Sequence, residues 1–236
     1  MKKIFLLNCL MFLGFVALIQ FSSCNPATED NNNNTGETLT DASGNTYNTV
    51  IVGRLTIMAE NLRTTKYNDS TDIPYVASGE SWDITTPAYC HFDNNARKGI
   101  LYNYYVIETG KIAPKGWHTA TNEEWDYVDS LGRAQFNNTY AKAMCSTSGW
   151  LASDLANTAG NIQSTNNAWG LNAKPNGYRD GDGTFFGDGS QEFFWGGLWA
   201  LPTIALTYNL DYNNTTMTMA SSAKSKGASI RCVKNY

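Results

Sequence analysis

Polar and apolar positions divide the chain into three textures. Thr46 to Val52 alternates and is rich in Val, Tyr and Thr, which predicts a half-buried strand. Gly53 breaks it, and Leu55 to Ala59 reads as its partner. Leu101 to Thr109 is apolar and aromatic between Gly99 and Gly110, and by periodicity it fits helix and strand equally. At Thr121 the period lengthens. Thr121 and Glu124 form a capping box, in which the hydroxyl accepts from the N3 amide and the carboxylate reaches back. Trp125, Val128 and Leu131 then recur at helical spacing, and Gly132 predicts the stop. Asn138 to Cys145 predicts a second short helix with Tyr140 and Met144 inward. From Asn157 the texture turns to Gly, Asn and aromatic residues. Glu192 to Leu201, Thr203 to Tyr212 and Ala228 to Lys234 read as strands, with Asn213 and Asn214 marking a turn between Leu210 and Met217. Strands, then helices, then loops and strands predict an α+β class.

One apolar run stands outside this pattern. Ile4 to Phe21 follows the positive Lys2 and Lys3, and Ser22, Ser23 and Cys24 end it with small residues and a thiol. That is the anatomy of a cleaved export signal. A cysteine at the cut resembles the lipobox of bacterial lipoproteins, although Phe21 stands where that motif usually has Leu. Lipidation of Cys24 is therefore expected, with plain secretion and an uncleaved membrane helix as the alternatives. Residues 25–40 carry almost nothing apolar and cannot bury enough surface to offset chain entropy, so a disordered tether is expected. The organisation predicted is a signal over 1–23, a tether over 24–40 and one domain over 41–236. No second long apolar run exists, so lipid alone would hold the domain at a membrane. The expected location is the outer membrane, on its periplasmic or cell-surface face.

Seven Trp, thirteen Tyr and six of the ten Phe lie beyond the signal and give the domain material for a sizeable aromatic core. A formal net charge of -4 without a visible basic patch excludes nucleic acid, because counterion release then has no source. Cys9 lies in the signal and Cys24 at the anchor, which leaves Cys90, Cys145 and Cys232 in the domain. An exported compartment permits one bridge among them and leaves one thiol over. Their wide separation does not match a zinc pattern, and only His91 and His118 could serve a catalytic thiol as base.

Several segments together resemble the Fibrobacter succinogenes major paralogous domain. They are Met58-Ala-Glu-Asn-Leu-Arg63, Lys66-Tyr-Asn68, Pro87-Ala-Tyr-Cys90, Leu101-Tyr-Asn-Tyr104, Pro114-Lys-Gly-Trp-His118, Glu124-Trp125, Gly177-Tyr-Arg179 and Ser229-Ile-Arg-Cys-Val233. They stand in the family's order over roughly residues 40 to 236. The resemblance implies kinship with the C-type-lectin-like and formylglycine-generating-enzyme fold. That kinship means two helices, a small antiparallel sheet and long irregular loops. Ile57 and Ala113 depart from the family, which often has Trp and Cys there. The cysteine at 113 would be the natural partner for Cys232, so Cys232 pairs with Cys145, pairs with Cys90 or stays free. Cys145, a residue the family does not usually have, is the preferred partner of Cys232. A closely spaced cysteine pair late in the domain, which the formylglycine-forming enzymes use, is not present.

The candidate chemistry is sparse. His118 reads as a side chain joining a loop to the capped helix, and His91 as an exposed residue. Asp180, Asp182 and Asp188 with their glycines resemble a calcium loop, but the twelfth position is Gln191, so an ordinary turn is preferred and no metal is expected. Glu60 and Asn61 are expected to bond loop backbone, and Arg63, Arg179 and Arg231 to anchor loops through their planar donors. The aromatics around Phe193, Phe194, Trp195, Trp199 and Tyr208 suit both a core and a sugar-stacking platform. Trp169, Tyr178, Trp195 and Trp199 are the ligand contacts expected if a glycan binds. The function expected is a non-enzymatic, lipid-anchored envelope module that binds a glycan or a surface protein, with no cofactor. An enzyme acting on polysaccharide is the first alternative, needing two facing carboxylates that Glu60, Glu124, Asp126 and Asp180 would have to supply. A structural surface or fimbria-like component is the second.

Overall fold

Among the described residues, 35–236, the computed structural model holds twelve strands and three α-helices. The side chains of Thr35 and Trp199 are not described. The signal, Cys24 and the tether up to residue 34 lie outside the described residues. The first sheet is antiparallel, in the order β1 (Thr35–Thr40), β2 (Thr46–Val52), β3 (Leu55–Met58), β12 (Cys232–Lys234) and β6 (Trp117–Thr119). The second runs β11 (Thr218–Ala223), β10 (Ile204–Asp211), β9 (Gln191–Ala200), β7 (Asn176–Arg179) and β8 (Phe185–Asp188). Its one parallel contact joins β7 to β9. A small pair joins β4 (Tyr89–His91) to β5 (Ile100–Tyr102). The helices are α1 (Tyr104–Glu108), α2 (Asn122–Gln135) and α3 (Ala141–Met144). The domain is therefore β-rich with a few helices, and it holds more sheet than the single small one expected.

Several elements differ from the sequence reading for identifiable reasons. Pairing begins at Thr35 and not at Asp41, because β1 bonds its backbone to β2 and needs little apolar side chain to do so. Leu39 is its buried residue, and Gly36 lets the strand pass close over Thr49. The ambiguous stretch 101–109 is both structures in turn, since β5 ends at Tyr102 and α1 begins at Tyr104. α2 starts at the expected cap but runs through Gly132 to Gln135. The Tyr140 ring lies where a Cβ at position 132 would be, so Gly132 serves close packing and not termination. Asn137 and Asn138, with φ 47° and 62°, make the left-handed turn after the helix instead. The last strand pairs regularly only from Cys232. Upstream, Ala228 bridges to Tyr102 and Ser229 to Phe194, which threads the segment between β5 and β9.

The interior divides into three packed clusters. Trp125, Tyr140, Trp169 and Phe194 belong to the first, Tyr47, Tyr102, Trp195 and Ile230 to the second, and Trp82, Ala88 and Phe92 to the third. The three cysteines follow this division: Cys145 sits in the first, Cys232 in the second and Cys90 in the third. All three are free and buried, so the expected Cys145–Cys232 bridge is not formed. Among the described residues no helix is long and apolar enough to cross a membrane.

Candidate functional site

A cleft of about 180 Å³ opens where three loops meet. The turn after β3 brings Glu60 to Arg63, the loop before β5 brings Ala96 to Gly99, and the approach to β7 brings Asn172, Lys174 and Asn176. Arg231 reaches it from below.

Buried polar groups fix the floor. Arg231 donates from Nη1 to the carbonyls of Met58 at 2.7 Å and Leu171 at 2.8 Å, and from Nε to Asn61 Oδ1 at 2.6 Å. Asn61 Nδ2 donates to Glu192 Oε1 at 2.6 Å and to Ser229 Oγ at 2.9 Å. Glu192 Oε2 accepts the Asn176 N–H at 2.9 Å. Four separate stretches of chain, 58–61, 171–176, 192 and 229–231, are thereby locked together under the cleft. Burial pushes the Glu192 carboxyl up to about 7, against the opposing pull of Ser229, Asn176, Arg231 and Asn61. Burial likewise draws Arg231 down to about 10. Desolvation outweighs pairing for both partners.

The rim is cationic. Arg63 donates to Glu60 at 2.7 Å and to the Thr46 carbonyl at 2.8 Å, with its guanidinium 4.4 Å from the centre of the Tyr47 ring. Lys98 pairs with Asp188. Asn95 Oδ1 accepts the Arg97 N–H at 3.1 Å and so shapes the turn that presents Arg97. Arg97 and Lys174 are exposed and make no ion pair among the described residues. The cleft thus collects five cationic side chains against one lining carboxylate, Glu60. Sequence inspection finds no basic patch because these cations come from four distant segments. The only early signal is the expectation that Arg63 and Arg231 anchor loops, which both do.

The predicted contact residues separate. Trp195 is fully buried, its indole N–H bonded to the Tyr102 carbonyl at 2.8 Å and its ring 5.2 Å from Tyr104. Trp169 is 7% exposed, packs edge-on to Phe136 at 5.6 Å and bonds Gln135 Oε1. Neither offers a ring face to a sugar, so these two contacts are corrected to core residues. Tyr178 is half-buried between Phe186 at 5.5 Å and Phe193 at 4.5 Å, with Lys226 Nζ 3.8 Å from its ring centre. Trp199's side chain is not among those described.

The remaining candidates play framework roles. His118 Nε2 lies 2.9 Å from Glu124 Oε1 and its Nδ1 2.7 Å from Asn235 Oδ1, which ties β6 to the α2 cap. The Glu124 carboxylate raises the His118 pKa. His91 is half-buried against Tyr75 and Tyr89 and not exposed. Arg179 donates to the carbonyls of Val76, Ala77, Glu80 and Gly183. Asn61 bonds side chains and not loop backbone. Asp182 shapes the β7–β8 turn by accepting the Thr184 N–H, while Asp180 meets Lys226 and Asp188 meets Lys98. Those carboxylates diverge onto separate cations. Glu60 pairs with Arg63, Glu124 closes the cap and Asp126 accepts from Tyr208 Oη at 3.0 Å, so the four carboxylates named for hydrolysis do not face each other. A second depression, beside Tyr208, Met217 and Met219, holds Asp126 and Asp129 one turn apart on a single helix. Burial pushes the Cys90 thiol up to about 12 and raises those of Cys145 and Cys232, which removes them as nucleophiles.

The sequence model of the Fibrobacter succinogenes major domain matches residues 50–234, and so includes every lining residue of the cleft. No curated protein and no solved structure matches the chain.

Proposed function

We propose, for a chain that belongs to the Fibrobacter succinogenes major domain family, a non-enzymatic binding module held at the outer membrane by lipid on Cys24. It captures a glycan or surface-protein partner in the cationic cleft. The observation that carries this reading is the contrast between floor and rim. The floor's Asn61, Glu192 and Arg231 commit their polar atoms to one another, to Ser229 and to the backbone of Met58, Leu171 and Asn176. The rim keeps open donors. That is a preorganised receptor, in which binding need not first order the site. The one strongly perturbed carboxyl near the cleft, Glu192, is enclosed and both its oxygens accept protein donors, which suits positioning and not proton transfer to a ligand. Loops on a rigid sheet scaffold also suit the lectin-like kinship implied by the family motifs.

A glycan array probed with the Cys24→Ser chain tests the reading. Binding without cleavage of the bound sugar is expected. Release of shortened sugar would replace the binder by the polysaccharide-cleaving alternative.

A further inference from the structure

Four groups around the cleft have no hydrogen-bond or ionic partner among the described residues: the Arg97 guanidinium, the Lys174 ammonium and the side-chain amides of Asn172 and Asn176. The other cations are occupied, Arg63 by Glu60, Lys98 by Asp188 and Arg231 by the floor. A ligand therefore meets two open cations and two neutral amides, each amide able both to donate and to accept. An inorganic anion answers only the cations. A carboxylate-bearing peptide answers them too and can meet the amides through its backbone, but it spreads these groups along a chain instead of gathering them on one ring. A sugar acid carries an anion and donor–acceptor hydroxyls on one ring, and the cleft volume of about 180 Å³ suits a ring more than a folded surface.

We infer that the cleft binds an acidic glycan, a polysaccharide bearing carboxylate or sulfate groups. The anion lies on Arg97 and Lys174, and the hydroxyls lie on Asn172 and Asn176. This rests on the binding-module reading above and names its ligand class. The chain's net charge of -4 makes the cationic cleft a local exception, so the complementarity belongs to the site and not to the whole surface. β7 also gives the glycan somewhere to continue. Two residues beyond Asn176, about 7 Å along the strand, the row Phe186, Tyr178 and Phe193 begins. Phe186 is 43% exposed and offers an apolar ring to a following sugar, with Lys226 seated on the neighbouring ring.

Calorimetry on the full chain in detergent micelles tests the inference with five probes. These are a galacturonate oligomer, a sulfated oligosaccharide, a neutral glucan, poly-glutamate and inorganic phosphate. One or both acidic sugars bind, more weakly as salt rises, and the glucan does not. Arg97→Gln combined with Lys174→Gln lowers that affinity about tenfold or more at unchanged melting temperature. Asn172→Gly combined with Asn176→Ala weakens the sugar and leaves phosphate binding as it was, the glycine retaining the left-handed backbone at 172 (φ 49°). If the amide variant melts early, the charge variant and the salt series decide. Equal binding of poly-glutamate, whether or not the amide variant weakens it, overturns the inference in favour of an acidic protein. Binding of phosphate alone overturns it as well. A glycan whose binding ignores both cleft variants overturns the inference and leaves the binding module standing. If no glycan or peptide binds, both fall.

Discussion

Glu192 shows how one side chain links the cleft to the solution. Its carboxyl, ordinarily near 4.5, is pushed up to about 7 because the folded site excludes water. The folded protein therefore holds this proton where the unfolded chain has released it. Stability from this group is fully present below pH 4.5 and declines as pH rises through 7, by roughly 3 kcal/mol in total. Glu192→Gln cannot titrate. Its stability profile, measured by denaturant midpoint from pH 4 to 8, is expected to be flatter than that of the native chain, and parallel profiles would show that Glu192 does not carry the effect. Protonation of Glu192 also removes a negative charge beneath the rim. Anion affinity is accordingly expected to rise as pH falls from 8 to 6, and the Gln variant should lose that trend. At the same scale, neither residue type nor a Gly- and Asn-rich setting places Trp169 and Trp195. Indole suits a sugar platform and a core equally, and only the partners of each ring separate the two.

At the scale of elements, the best-specified piece is the start of α2. Thr121 Oγ1 accepts the Glu124 N–H at 3.1 Å, and Glu124 Oε2 accepts the Thr121 N–H at 2.8 Å, as the sequence predicts. Glu124 also meets His118, so the cap fastens β6 to the helix as well. Thr121→Ala is expected to cost about 1 kcal/mol. An unchanged denaturant midpoint would mean that the helix does not depend on this cap. The short elements β4, β5 and β6, three residues each, leave almost no periodic signal to read. β1 is invisible for another reason: it is fixed by backbone pairing, and a polar segment that pairs looks like a polar segment that does not. The cleft is bordered by such weakly signalled loops.

At the scale of the molecule, the proposed anchor and the cleft have different origins. The attachment proposed is lipid on Cys24, and two acyl chains suffice for a stable hold. Cys24→Ser is expected to release the protein from the membrane fraction. A variant that is cleaved yet stays with the membrane would mean that another contact holds it. The cleft arises from assembly, since residues 60–63, 96–100, 172–176 and 231 become neighbours only in the folded domain. The free thiols belong to this scale too. Each cysteine is free and occupies a different packed cluster.

By itself the sequence determined the β2–β3 pair, the capped helix, the central strands β9 and β10, the family and the loop-anchoring arginines. These rest on local periodicity, on side chains a few residues apart, or on an ordered set of motifs, all written along the chain. Tertiary structure decided the number of sheets, the interior place of Trp169 and Trp195, the free state of Cys145 and Cys232 and the cationic cleft. Each depends on which distant residues meet. Charge scattered over positions 63, 97, 98, 174 and 231 averages away along a chain with net charge -4, and becomes a site only when the fold brings those segments together over the Asn61–Glu192–Arg231 floor.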